Sequence, residues 1–122
     1  MTRDRASLLE HLTERHADWN LRAASALVEV VDLASQDATP VDELHATTAL
    51  LAHLVGHAEA ASRAKSFLQG GGLVADLVSH LDQHVPSSLS PRADGYRSEM
   101  FDLQRTIREE PLGALPAQRS AQ

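Results

Sequence analysis

Cysteine is absent from this chain of 122 residues, which excludes disulfides, thiolate metal sites and cysteine nucleophiles. Aromatic residues make up only 3%, and no stretch approaches the roughly 18–20 apolar residues of a membrane span. Basic residues are outnumbered 11 to 17, and a formal charge of −6 argues against binding to nucleic acid phosphates or to an anionic membrane. The opening segment MTRDRASLLEHL has no apolar run before its first charges, which predicts a cytoplasmic protein.

The composition favours helices over strands. Alanine and leucine account for 19 and 18 residues, and both are strong helix formers. No segment alternates apolar and polar residues for long enough to form a half-buried strand. Together with a length typical of one domain, this predicts a single all-α domain.

Capping residues, glycines and prolines divide the chain into four predicted helices, at 7–35, 40–68, 73–85 and 91–109. Ser7, Thr39 and Ser90 are the predicted N-caps, the last two each followed by proline. Connections of only a few residues favour antiparallel neighbours, so we expect an up-down-up-down four-helix bundle with two long and two shorter helices. The bundle is predicted to occupy residues 1–110, with a flexible C-terminal tail at 111–122.

Each predicted helix has an apolar stripe at a spacing of three or four residues. In the first helix the stripe comprises Leu9, Leu12, His16, Trp19, Ala23, Leu27, Val30 and Ala34; in the fourth it comprises Tyr96, Met100, Leu103 and Ile107. The first helix has a second apolar face, formed by Leu21, Ala24, Val28 and Val31, which a lone bundle would expose. This face predicts a homo-oligomer; a cover from the C-terminal tail and simple exposure are the alternatives.

Histidine is the one residue type whose placement suggests chemistry. The segments HLVGH and HLDQH put His53 with His57, and His80 with His84, on one face of a helix each. Antiparallel pairing of the helices places His16, His57 and His84 in one layer, with His53 and His80 a turn away. Three buried imidazoles in one layer predict a transition metal site for Fe, Zn or Ni.

One alternative to metal binding remains open for these histidines. Partly buried histidines also form hydrogen bonds to neighbours without binding a ligand. The zinc-protease pattern HExxH is absent, because Leu54 occupies the position of its glutamate. We expect His11 and His45, which lie on polar faces, to be surface residues.

The histidine pattern resembles that of hemerythrin-like di-iron bundles, across about residues 7–109. That family has a histidine in the first helix, HxxxE in the second, HxxxH in the third and HxxxxD in the fourth. His16, His53, His80 and His84 match in this chain, whereas His57 stands at the glutamate position. The fourth helix has no histidine, and the phase of the helix turns Asp102 to solvent. The resemblance implies metal binding, and these departures favour one ion held by imidazoles over a carboxylate-bridged iron pair.

A shorter segment, LLAHLVGH, is similar to the second helix of the N-terminal bundle of maleylpyruvate isomerases, which has a three-histidine metal site. No set of nucleophile, base and acid stands out, and the run Gly70-Gly71-Gly72 lacks the lysine of a phosphate loop. The sequence therefore favours a metal-binding protein with a sensing, storage or small-ligand role over an enzyme. The alternative is a metal-free interaction or regulatory protein that works by self-association.

Overall fold

The structure is a computed structural model that describes residues 4–86 and 89–109. Its four α-helices are α1 (Arg5–Ala34), α2 (Val41–Gln69), α3 (Leu77–Asp82) and α4 (Pro91–Glu109). Within these ranges the chain forms no strand, which confirms the all-α prediction and is consistent with a four-helix bundle. None of the described helices is both long enough and apolar enough to cross a membrane. The predicted tail at 111–122 lies outside the described residues.

The helix starts follow the sequence signals only in part. Ser90 caps α4 as predicted, since its hydroxyl accepts a hydrogen bond from the amide of Ala93 at 3.2 Å. The prediction of Ser7 as the first cap is wrong: Asp4 is the N-cap of α1, and its side chain accepts a hydrogen bond from the Ser7 amide at 2.8 Å. The prediction of Thr39 as a cap is also wrong: Pro40 is the N-cap of α2, no side chain caps this helix, and the Thr39 hydroxyl donates to the carbonyl of Gln36.

The third helix is shorter than the predicted 73–85. Its first turn, Val74–Asp76, is a 3-10 helix, and the α-helix proper has six residues. At its C-terminal end the Gln83 amide still bonds to the Ser79 carbonyl four residues earlier, whereas the amides of His84 and Val85 bond to carbonyls three residues earlier, just before Pro86. The residue before a proline disfavours the helical backbone conformation, so the helix ends before it.

The main core lies between the first half of α1, the second half of α2, and α3 and α4. Its buried members are Leu8, Leu12, Ala60, Ala64, Leu68, Leu77, Leu81, Tyr96, Met100, Leu103 and Ile107. Burial raises the pKa of Tyr96, whose neutral hydroxyl donates a hydrogen bond to the Leu81 carbonyl at 2.9 Å and so joins α4 to α3. The predicted stripe of α4 is thus buried in full.

Two glycines allow α4 to approach α2 closely. A Cβ atom at Gly56 would overlap the carbonyl oxygen of Arg92, and one at Gly95 would overlap the carbonyl oxygen of His53. From this crossing α4 continues past His57, to which Glu99 is hydrogen-bonded. The backbones therefore touch where α4 begins, and α4 extends from there over the second half of α2.

The first half of α2 and the second half of α1 are consequently thinly covered. We call residues 20–52 the hairpin end. Its only buried residues are Ala26, Leu33 and Thr47. Six of the ten large hydrophobic residues that the described structure exposes lie there: Leu21, Leu27, Val28, Val31, Val41 and Leu50. Leu27 was predicted to lie in the buried stripe and is instead 51% exposed, because neither α3 nor α4 reaches it.

The glycine crossing can be tested with Gly95→Ala. Alanine is the better helix former, but the added methyl group meets backbone atoms of α2, which cannot rotate away as a side chain would. We expect a net loss of about 1–3 kcal/mol in the free energy of unfolding, measured by urea denaturation. The exposed Ser98→Ala in the same helix is the control and should be neutral or slightly stabilising. A Gly95→Ala protein as stable as the wild type would contradict this packing.

Candidate functional site

Glu99 of α4 is the centre of a buried polar cluster, although it is a charged residue with no exposed area. Arg15 of α1 donates to both of its carboxylate oxygens, at 2.5 and 2.6 Å. The indole nitrogen of Trp19 lies 3.0 Å from Oε1, and Nδ1 of His57 lies 2.9 Å from the same oxygen. We call these four residues the Glu99 cluster. It connects α1, α2 and α4 through one carboxylate.

The carboxylate of Glu99 is ionised in this environment. Burial acts to raise its pKa, but hydrogen bonds from Arg15 and His57, together with the Arg15 charge, hold the pKa below its ordinary value. The same hydrogen bond raises the pKa of Arg15, and a second carboxylate, Asp102, lies 3.4 Å from the Arg15 guanidinium. The cluster is therefore a largely buried ion pair in which Oε1 of Glu99 accepts three hydrogen bonds and Oε2 accepts one.

The bond to Glu99 also fixes which ring nitrogen of His57 carries a hydrogen. An ionised carboxylate can only accept hydrogen bonds, so Nδ1 of His57 has to carry the hydrogen. In the neutral ring, Nε2 is then left with a free lone pair. The ring of Trp19 stacks on that of His57, with centroids 4.0 Å apart, and the ring of His53 meets it edge-on at 4.8 Å.

The cluster is not sealed from solvent on the α1 side. Trp19 is half-buried, and the guanidinium groups of Arg15 and Arg22 lie 5.7 and 4.8 Å from the centre of its ring. Cations at these distances from an indole face are attracted by its π-electrons. Arg22 is also paired with Asp18, one turn earlier in α1.

His80 and His84 form a second, separate histidine pair at α3. Their ring centroids are 4.8 Å apart, and the ring of Phe67 stacks on His80 at 4.3 Å. Burial first, and then the nearby His84 and Arg63, lower the pKa of His80. His84 itself is exposed.

His16 is the only predicted site residue with no histidine beside it among these ring contacts. Its Nε2 lies 3.2 Å from the amide nitrogen of Asn20, in a shallow groove. The groove is lined by His16, Asn20, Val55, Ala58, Glu59, Ser62 and Arg92. Glu59 is already paired with Arg92, at 2.8 and 2.9 Å.

The five predicted metal ligands thus form two pairs and one single residue. Within 4–86 and 89–109, no three or more His, Asp or Glu side chains are grouped so that they could hold a metal ion. The predicted layer of His16, His57 and His84 is not brought together in this arrangement. His45 is exposed as expected, whereas His11 is half-buried and has an interaction partner.

Glu99 and Arg15, which organise the site, were not predicted from the sequence. Each lies on an apolar face: Glu99 is three residues after Tyr96 and four before Leu103, and Arg15 lies between Leu12 and Trp19. An acidic and a cationic side chain on the buried faces of two different helices are a pattern from which their pairing could have been predicted. Asp102, expected to face solvent, is half-exposed and pairs with Arg15 and Arg105.

The chain matches no protein-family model, and comparison with curated proteins and with solved structures finds no match. The hemerythrin-like resemblance stays a prediction.

The geometry defines what the Glu99 cluster can do chemically. Arg15, Trp19 and His57 all donate to the Glu99 carboxylate, so the cluster holds three helices together. The reactive atom that it leaves available is Nε2 of His57, which a carboxylate partner makes a better electron-pair donor. Nothing near it in the described structure supplies an activated nucleophile.

We expect Glu99→Gln to destabilise the protein by about 3 kcal/mol at pH 7, because a buried donor set loses its countercharge and Arg15 is only partly open to water. Measuring the free energy of unfolding at several pH values tests whether the charge of Glu99 is the cause of this loss. Since the folded-state pKa of Glu99 is lowered, its contribution is complete above the ordinary glutamate pKa of about 4.3 and is lost as pH falls through the folded value. The difference between wild type and variant should therefore shrink below about pH 4.

The matched control is Glu59→Gln. Glu59 accepts the same bidentate pairing from an arginine, but Arg92 is half-exposed, and such pairs contribute about 0–1 kcal/mol. Urea titrations of the wild type and both variants at several pH values measure the loss of stability for each variant and its pH dependence. Equal losses for the two variants, or a loss at Glu99 that does not change with pH, would contradict the assigned role of the buried carboxylate.

Proposed function

We propose that this protein is a helical interaction protein that acts through the apolar surface of its hairpin end and self-associates there. In this proposal the helices form an antiparallel up-down-up-down bundle in which only one half has a complete core. The single observation that carries it is the exposure of Leu21, Val28 and Val31, at 68, 62 and 56%. Apolar side chains exposed as a group are typical of contact surfaces.

The spacing of these residues supports a helix-to-helix contact. Leu21, Ala24, Val28 and Val31 follow one another at three, four and three residues, which is the alternation of a coiled-coil seam. The small Ala24 in the middle allows a second helix to approach closely. Two copies related by a two-fold axis would each present this same stripe, as an isologous interface requires.

The self-association is tested by Val28→Glu. We expect the wild type to sediment as a dimer at micromolar concentration, and the variant as a monomer, because an unpaired carboxylate would be buried at the centre of the contact. The control is Leu73→Glu, which changes a residue of similar exposure, 63%, in the segment after α2. It should stay dimeric. A monomeric wild type would overturn the proposal.

A metal-binding role is the second candidate, favoured by one observation. The Nδ1 atom of His57 is bonded to Glu99, so its Nε2 is oriented as in metal-bound histidines that a carboxylate supports, with His53 one turn away. Imidazole nitrogens suit Zn, Ni and Fe, which matches the donor type expected from the sequence. In this candidate His53 and His57 hold the ion, and a sensing, storage or small-ligand role follows.

The second candidate predicts that Zn, Ni or ferrous iron raises the melting temperature of chelator-stripped protein. At a hundredfold excess over Kd, a ligand of the folded state adds about 2.7 kcal/mol, or several degrees. His53→Ala should abolish the rise, and His45→Ala, an exposed histidine of the same helix, should not. The rise should fade below about pH 6, where imidazoles are protonated. An equal response of both variants would contradict a site at His53 and His57.

A further inference from the structure

A second apolar surface lies on the hairpin end, on the side where α4 would continue if it were longer. Leu50 is seven residues before His57, so it lies on the same face of α2 as the residues that α4 buries. It is nevertheless 49% exposed. Within residues 4–86 and 89–109, the seam of the core therefore continues beyond α4 without a helix that covers it. We call the exposed Ala46 and Leu50 of α2, together with the adjoining face of α1 on which Ala26 and Leu33 are already buried, the open seam.

The open seam has the length of a helix-binding groove. α4 contacts α2 as far back as His53, and α2 begins at Val41. The 12 residues between these points span roughly 18 Å at the helical rise, enough for about three turns of an additional helix. Helices that occupy such grooves bury an apolar face and leave their polar face in water.

The charges around the open seam indicate which helix fits. The hairpin end carries five carboxylates and one arginine, a formal charge of −4 out of −6 for the whole chain. Glu29 lies one turn from both Ala26 and Leu33, and Glu43 lies one turn before the buried Thr47. Neither Glu29 nor Glu43 forms an ion pair with any residue in the described ranges.

We propose that the open seam binds a basic amphipathic helix of a partner protein, whose apolar face covers Leu50 and whose lysine or arginine residues pair with Glu29 and Glu43. A second copy of this chain fits less well at the open seam, because a symmetric contact there would add a second Glu29 and Glu43 to the same rim instead of a countercharge. Opposite charges at the rim speed association and select the partner, while the apolar contact supplies affinity. This proposal rests on the hairpin end being an interaction surface, but it uses the face opposite to the self-association stripe.

The test uses a fluorescent helical peptide of about 12 residues, the length of the open seam at the helical rise, with leucine at a spacing of three and four and lysine elsewhere. A peptide with glutamate in place of lysine is its control. The protein carries Val28→Glu, which leaves the open seam intact and removes self-association. Binding is followed by fluorescence anisotropy at low and high salt.

We expect the lysine peptide to bind and the glutamate peptide not to bind, with affinity falling as salt increases. Leu50→Ser should weaken binding roughly fivefold or more, as truncation of a central interface side chain does. Glu29→Gln with Glu43→Gln should weaken it and reduce its salt dependence. Leu73→Ser is the matched control and should leave the affinity unchanged.

Three results would overturn the proposal: no binding of the lysine peptide, equal binding of both peptides, or equal binding to the Leu50→Ser protein. A further outcome identifies a second copy as the occupant: Leu50→Ser alone, in the otherwise wild-type chain, would then convert a dimer to a monomer. Sedimentation of the wild type and Val28→Glu is independent of the peptide titration. Failure of one proposal is therefore distinguishable from failure of the other.

Discussion

The burial of one ionised carboxylate constrains how the helices are arranged. Removing a carboxylate from water costs several kcal/mol, and this cost is offset only when charged and polar donors surround the group. Arg15 and Trp19 from α1 and His57 from α2 supply those donors to Glu99. Because apolar contacts tolerate small shifts and these hydrogen bonds do not, the cluster fixes the level at which α4 lies against the other two helices.

The position of α4 against α1 and α2 also divides the molecule into two unlike halves. Beyond the glycine crossing, α3 and α4 complete a core of leucine, alanine and Tyr96. Of the described helices, only α1 and α2 reach the hairpin end, and a two-helix layer cannot bury both of its faces. The exposed Leu21 and Val28 on one side and Leu50 on the other follow from this shortage of helices. The proposed interactions would each supply the missing layer.

The histidines differ in what surrounds them. His57 is held between the Trp19 ring and the Glu99 carboxylate, and His80 is stacked on Phe67, so both have defined neighbours. His16 faces a groove next to Asn20. Equal spacing in the sequence therefore gives two pairs of unequal environment: one adjoins a buried ion pair, and the other ends at the exposed His84.

Much of the fold was determined by the sequence alone. Apolar spacing, Ser90 with Pro91, and the glycine and proline boundaries located all four helices, because these signals act within a few residues of the chain. The exposed stripe at Leu21, Val28 and Val31 was predictable for the same reason. The tertiary structure decided which ionisable groups meet. Glu99 and Arg15 are 84 residues apart, and their pairing depends on the levels at which α1 and α4 pack. It also decided that Leu27 and Leu50 stay exposed, since helical phase gives the direction of a side chain but not whether another helix reaches it.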